Sequence, residues 1–236
     1  MIFNGHDFKD LFIIARKSRD ILPDITNITQ QAPGMAGAHF VREEIGPRYL
    51  GVEVTIEDTT RQDLRLKILE ASSKLKTAEP KPLEFKDEGL IYYAKLDGGT
   101  ELNEILEMGE GTLNFICPNP YKHGEEATEG IGNAFNNEGT YTPFILFFEL
   151  TGATESLEIE LNGNKVMELI DDYQEGDTIE INTSKENRSI KKNGENNKEA
   201  LTIDSNFMDL EPGENTINIT GATVTGGQVA YTKRWL

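Results

Sequence analysis

Leu157-Glu158-Ile159-Glu160-Leu161-Asn162-Gly163 decides the reading of the second half of the chain. Apolar residues alternate with glutamates at a period of two, the pattern of a strand with one face buried and one in water. Asn162-Gly163 then supplies the dipeptide of a type I′ hairpin turn, which needs two residues tolerant of positive φ. Asn193-Gly194 repeats the signal, Pro212-Gly213 adds another turn, and Ile217 and Ile219 alternate with polar neighbours. Val229, Tyr231 and Trp235 close the chain. Short strands at this spacing, with no helical pattern among them, predict an antiparallel β-sandwich of jelly-roll or lectin type.

The first half differs. Val52, Val54 and Ile56 alternate with Glu53, Thr55 and Glu57, again a half-buried strand. Thr60 and Asp63 stand at capping-box spacing, and Leu64, Ile68, Ala71 and Leu75 follow at helical intervals. This predicts one helix over about residues 61–77, stopping before Pro80 and Pro82. Leu90 to Leu96 reads as a strand, Gly98-Gly99 as a turn, and Leu113, Phe115 and Cys117 as the apolar face of another strand. The fold class expected is therefore mainly β, with an α+β N-terminal domain that carries one helix. Between the halves lies Cys117-Pro118-Asn119-Pro120-Tyr121-Lys122-His123-Gly124, a density of breakers that ends regular structure. It divides the chain into domains at 1–124 and 125–236.

Charge sharpens that division. The 236 residues carry 23 Lys/Arg and 41 Asp/Glu, a net of −18. Residues 1–122 hold 15 basic and 20 acidic side chains, a net of −5; residues 123–236 hold 8 and 21, a net of −13. A surface of that sign repels phosphate, which argues against a nucleic-acid clamp or an anionic-membrane binder. The longest apolar run, Phe144 to Phe148, falls far short of the roughly 20 residues of a membrane span. Met1-Ile2-Phe3-Asn4-Gly5 shows no basic stretch before an apolar core, so no secretory leader is expected.

Catalytic constellations are missing from the sequence. His6, His39 and His123 lie far apart, and no Gly-x-Ser-x-Gly elbow, His-Glu-x-x-His, P-loop or dinucleotide glycine pattern occurs. The single Cys117 excludes an internal disulfide or a multi-cysteine zinc site; on the apolar face of a strand it reads as a buried structural thiol. Asp171-Asp172-Tyr173-Gln174-Glu175-Gly176-Asp177 offers oxygen ligands but not EF-hand spacing, and reads as a solvated turn between strands. No catalytic residue, metal or cofactor is expected. Tyr141, Tyr173, Tyr231 and Trp235 are candidates for an exposed aromatic platform binding a sugar, although Tyr231 and Trp235 end a strand where a core role is common. The Asn-x-Ser/Thr sites at Asn27, Asn182, Asn187 and Asn218 are read as chance matches in an Asn-rich chain.

Six stretches carry a resemblance. They are Phe3-Asn4-Gly5-His6-Asp7-Phe8-Lys9-Asp10-Leu11; Pro33-Gly34-Met35-Ala36-Gly37-Ala38; Gly46-Pro47-Arg48-Tyr49-Leu50-Gly51-Val52; Cys117-Pro118-Asn119-Pro120-Tyr121-Lys122; Phe207-Met208-Asp209-Leu210-Glu211-Pro212-Gly213-Glu214-Asn215-Thr216-Ile217; and Lys233-Arg234-Trp235-Leu236. In this order and spacing they resemble the distal tail protein family of long, non-contractile-tailed phages and prophages of Gram-positive bacteria. The resemblance implies a virion structural protein at the tail tip, assembled in the host cytoplasm, with no enzymatic activity. Its N-terminal domain would build a hexameric ring and its galectin-like domain would project outward. The ring would join the tail tube protein to the tail-associated protein below, with receptor-binding or baseplate proteins as further partners. Isolated rings would pair back to back, and DNA would pass only as cargo. The long outer-domain insertion of some relatives is missing, which counts against direct sugar binding. The alternative is a carbohydrate-binding adhesin of the bacterial cell wall. The loop Pro33, Gly34, Met35, Ala36 and Gly37, small and weakly charged, is the candidate contact with a neighbouring subunit.

Overall fold

The structure, a computed structural model, describes residues 1–98, the main chain of 102–105, and residues 108–236. The chain divides into two compact units, Met1–Lys122 with Leu236, and His123–Trp235.

The first unit runs β1 (Ile2–Phe3), β2 (His6–Asp7), β3 (Ile13–Arg19), β4 (Ile25–Gln30), β5 (His39–Ile45), β6 (Arg48–Glu57), α1 (Arg61–Leu75), β7 (Lys81–Glu84), β8 (Ile91–Leu96), β9 (Leu102–Ile105) and β10 (Met108–Cys117). β6 is central, pairing antiparallel with β3 on one edge and with the full length of β10 on the other. β10 also pairs with β8 near its C-terminal end and with β9 near its start, and β8 continues through β7 and β1 to β2. Strict alternation places Leu50, Val52, Val54 and Ile56 of β6 in the core, where Leu113, Phe115 and Cys117 of β10 join them. Thr60 caps α1, its hydroxyl accepting the Asp63 amide at 3.1 Å, and Leu64, Ala71 and Leu75 fasten the helix to the sheet. The helix ends at Leu75 rather than 77, because the Lys76 main chain is already extended. Of the Gly98-Gly99 turn, Gly98 has φ +73°, whereas Gly99 lies outside the described residues.

An ion cluster ties β3 to the β7–β8 connection. Lys17 pairs with Asp87 and Glu88, Arg19 pairs with Glu88, and the Tyr92 hydroxyl donates to Glu88 at 3.0 Å. Burial works to raise the Glu88 pKa, but Arg19, Tyr92 and Lys17 together hold it below the usual value. Burial and the bond to Glu88 push Tyr92 up to about 12.

The second unit is a two-sheet sandwich. Its strands are β11 (Lys122–Gly130), β12 (Ala134–Asn137), β13 (Phe144–Leu150), β14 (Thr154–Leu161), β15 (Asn164–Tyr173), β16 (Thr178–Asn182), β17 (Ser189–Lys192), β18 (Glu195–Asn196), β19 (Gly213–Thr220) and β20 (Val224–Trp235). One sheet has the order β18-β17-β16-β13-β20-β11 and the other β12-β19-β14-β15. Leu146 and Phe148 from the first meet Leu157, Leu169 and Ile217 from the second in a shared core. Asn162 and Gly163 both have positive φ (53° and 77°), and Leu161 faces Asn164 across the turn they make. Asn193 and Gly194 repeat this between β17 and β18.

Candidate assembly surface

β4 and β5 form a sheet of their own. They pair only with each other among the described residues, from Ile25 opposite Ile45 to Gln30 opposite His39, with a bulge at Val41. Every β5 residue is exposed, as is every β4 residue except the half-buried Ile28. Phe40 is 63 % and Val41 52 % exposed, large apolar side chains in water on a strand that carries no core of its own. The register puts Phe40, Thr29, Asn27, Glu43, Ile25 and Ile45 on one face. A lone two-stranded hairpin is at best marginally stable in water, so an arm of this kind is completed by whatever covers that face.

Pro33, Gly34, Met35, Ala36 and Gly37 lie at the tip of this arm. Gly34 and Gly37 take φ of +81° and +89°, and the Met35 amide donates to the Ala32 carbonyl at 3.2 Å, leaving Met35 half-buried and its neighbours exposed. The base is held more firmly. Gly46 donates its amide to the Asp24 carbonyl at 2.7 Å, closing the two strands. Arg48, fully buried, donates from Nη1 to the Asp20 carbonyl at 2.8 Å and from Nε to the Pro120 carbonyl at 3.0 Å. One guanidinium therefore pins both the chain entering the arm and the proline-rich stretch that ends the unit.

The four aromatic candidates do not make an exposed platform, since Tyr141 alone among them is exposed. Tyr173 is wholly buried and Tyr231 nearly so, both inside the sandwich core, where burial raises their hydroxyl pKa values, that of Tyr173 to about 12. Each stands at the inward-facing phase of a long strand, so the ring that was to meet a sugar meets the opposite sheet instead. Trp235 is half-buried. It donates from Nε1 to the Glu138 carbonyl at 3.2 Å, and its ring lies so close to Gly124 that a Cβ there would fall 2.6 Å from it.

Asp171–Asp177 is organised around a lysine. Lys192 Nζ lies 3.2 Å from Asp171 and 3.5 Å from Asp177 and donates to the Asp172 carbonyl. Burial works to raise the Asp177 pKa; the Gln174 amide, the Asn193 amide group and Lys192 outweigh it and hold the carboxyl below its usual range. The ammonium thus neutralises the acidic stretch from within the protein. Among the described residues no three His, Cys, Asp or Glu side chains converge as metal ligands, and no helix is long and apolar enough to cross a membrane. Cys117 is fully buried, and burial pushes its thiol up to about 12 against the opposing charge of Arg48, which leaves almost no thiolate at neutral pH.

The late motif has a structural reason. The buried Asn215 accepts the Glu211 amide at 2.9 Å and donates to the Glu211 and Gly213 carbonyls, so it holds the Pro212-Gly213 turn together. At the other end of the sequence signature, Arg234 pairs with Asp209 and donates to the Tyr141 carbonyl.

Comparison with known proteins agrees with this architecture. Residues 5–117 match the family model described as a phage tail protein RIFT-related domain, and residues 138–235 match that of the siphovirus-type tail component, C-terminal domain. The distal tail protein of Bacillus phage SPP1 is 29 % identical over 226 residues, 92 % of this chain and 88 % of that protein. Both units of the chain match siphovirus-type tail domains. The crystal structure of the SPP1 protein, described as a paradigm of the hub adsorption apparatus in phages infecting Gram-positive bacteria, superposes on the whole chain and 98 % of its own, with a TM-score of 0.83 and 21 % identity. A chain of the phage P2 baseplate in its activated, calcium-containing conformation shares the fold more distantly, with a TM-score of 0.50 and 8 % identity over 95 % of this chain and 91 % of its own. The chain is thus a phage tail component with a mainly β fold. Phe40 and Val41 were not legible as surface-forming residues, because the sequence around them alternates too little to separate an exposed arm from a core strand.

Proposed function

We propose that the protein is the structural hub at the distal end of a phage tail, six copies closing into a ring through the β4–β5 arm. The ring joins the tail tube protein to the tail-associated protein, and the sandwich unit meets receptor-binding or baseplate proteins. Isolated rings pair back to back. DNA passes through the ring as cargo, and the net charge of −18 disfavours its sticking. The protein catalyses no reaction.

The observation that carries this reading is the arm: an isolated hairpin, anchored at its base by a buried arginine and bearing bare Phe40 and Val41. Closed rings are built from two different surfaces per subunit, and a projecting hairpin supplies one of them. The test is a double substitution at the tip, Met35→Asp with Ala36→Asp. Sizing chromatography with light scattering should show loss of the ring with an unchanged melting curve. Rings that persist with two aspartates at the tip would remove the tip from the interface.

A further inference from the structure

A ring needs an acceptor as well as an arm, and the first unit carries a surface that suits the arm. An apolar groove of about 540 Å³ runs between α1 and the β6–β10 wall, lined by Ile68, Ala71 and Leu75 on the helix side and by Ile56, Leu96 and Leu113 on the strand side. Lys76 and Lys95 stand among its lining residues, Lys95 held by a bond from Nζ to the Ala78 carbonyl at 2.9 Å. On the arm, Phe40 shares its face with the carboxylate of Glu43, three residues along β5 and therefore roughly 10 Å away. An exposed aromatic ring followed by an anion meets an apolar slot rimmed by cations.

We propose that this groove receives the arm of a second copy, with Phe40 seated in the slot and Glu43 facing Lys76 and Lys95. The inference rests on the ring reading and deepens it by naming the second half of the contact. The outer face of α1, where Leu66 and Leu69 are exposed, is the rival acceptor. It is convex and offers no slot for a ring. Seating an aromatic side chain in a dry slot is worth about 10- to 100-fold in association. A charge pair at the rim governs register and encounter more than affinity.

The test is disulfide trapping between copies that each carry one new cysteine. Thr29→Cys lies directly across the arm from Phe40 and leaves the ring in place. It is mixed in turn with Ser72→Cys in the groove, Leu66→Cys on the outer face of α1, and Ile203→Cys, fully exposed in the other unit. The native Cys117 is buried and does not compete. Under mild oxidation a covalent dimer should form with Ser72→Cys and not with the other two. Rings without that dimer, or an equal yield with Leu66→Cys or Ile203→Cys, would overturn the groove as acceptor and leave the ring reading standing. Absence of any ring from unlabelled protein would overturn the ring reading itself, and the groove with it. A charge exchange provides a second readout: Glu43→Lys should slow assembly, and Lys76→Glu or Lys95→Glu should restore it. Restoration by neither would remove the rim contact.

Discussion

Two hairpins in this protein use the same local device and meet opposite fates. β14 and β15 turn at Asn162-Gly163, and the sandwich buries Leu157, Ile159 and Leu161 to within a few per cent. β4 and β5 turn around Pro33-Gly34-Met35-Ala36-Gly37 and leave Ile25, Phe40, Val41 and Ile45 in water. Both strand pairs form an antiparallel ladder, but β14 also bonds β19, whereas β4 and β5 each keep an unpaired edge among the described residues. What also differs is whether a second layer exists to cover the apolar face. The first hairpin stabilises its own chain; the second is held out from it and stabilises whatever it meets.

That contrast can be broken by substitution. Leu157→Ala, at a fully buried site, should cost about 3 kcal/mol of folding stability, read by denaturant unfolding. Phe40→Ala should leave folding stability within about 0.5 kcal/mol of the parent, as for other surface changes, while assembly is lost. Equal destabilisation by the two would mean that the arm is part of its own chain's core.

Two smaller effects sharpen the same comparison at the places where each hairpin is anchored. Asn215→Ala removes four hydrogen bonds at a buried turn, one of them from Asn162, and should cost about 2 kcal/mol, again by denaturant unfolding. Arg48→Met frees the Asp20 and Pro120 carbonyls but also removes a buried charge, so the net loss should be smaller, about 1 kcal/mol. Its signature would be faster hydrogen exchange at the Gly46 amide, which closes the base of the arm, with no change at the Asn162-Gly163 turn.

A pH dependence should be the mildest effect, and the first unit's ion cluster contributes a separable part of it. The folded-state pKa of Glu88 lies below its ordinary 4.5. The cluster's contribution is therefore complete above that value and is lost as pH falls through the lower, folded one. Glu88→Gln should flatten the stability–pH slope below about pH 4.5 and lower stability modestly at pH 7. An unchanged slope would mean that Lys17 and Arg19 do not depend on this carboxylate.

The elements readable from the chain are those set by short-range chemistry. β6 declared itself through Val52, Val54 and Ile56, α1 through the Thr60 cap and the spacing of Leu64 to Leu75, and both Asn-Gly turns through their need for positive φ. Where the outcome depends on residues distant in sequence, the pattern was silent or misleading. Tyr173 reads as a platform candidate until the opposite sheet is placed over it, whereas the core role of Tyr231 is legible from its place on a strand. Asp171 and Asp177 look like an empty acidic turn until Lys192, fifteen or more residues on, fills its centre. Phe40 is not singled out by the sequence at all, because its exposure is decided by the absence of a covering layer, which no local period encodes. The arm's tip, by contrast, was marked by its small residues and glycines, since a turn with two positive-φ positions must be written locally.

The most direct test of the account is the mass of the purified protein by light scattering over a range of concentrations, with negative-stain images of the main peak, for the parent chain and for Phe40→Asp. The account predicts six-copy rings with an open centre from the parent and a 26.4 kDa monomer of unchanged melting temperature from the variant. A parent chain that stays monomeric at every concentration, or a variant that forms rings as readily as the parent, would contradict it.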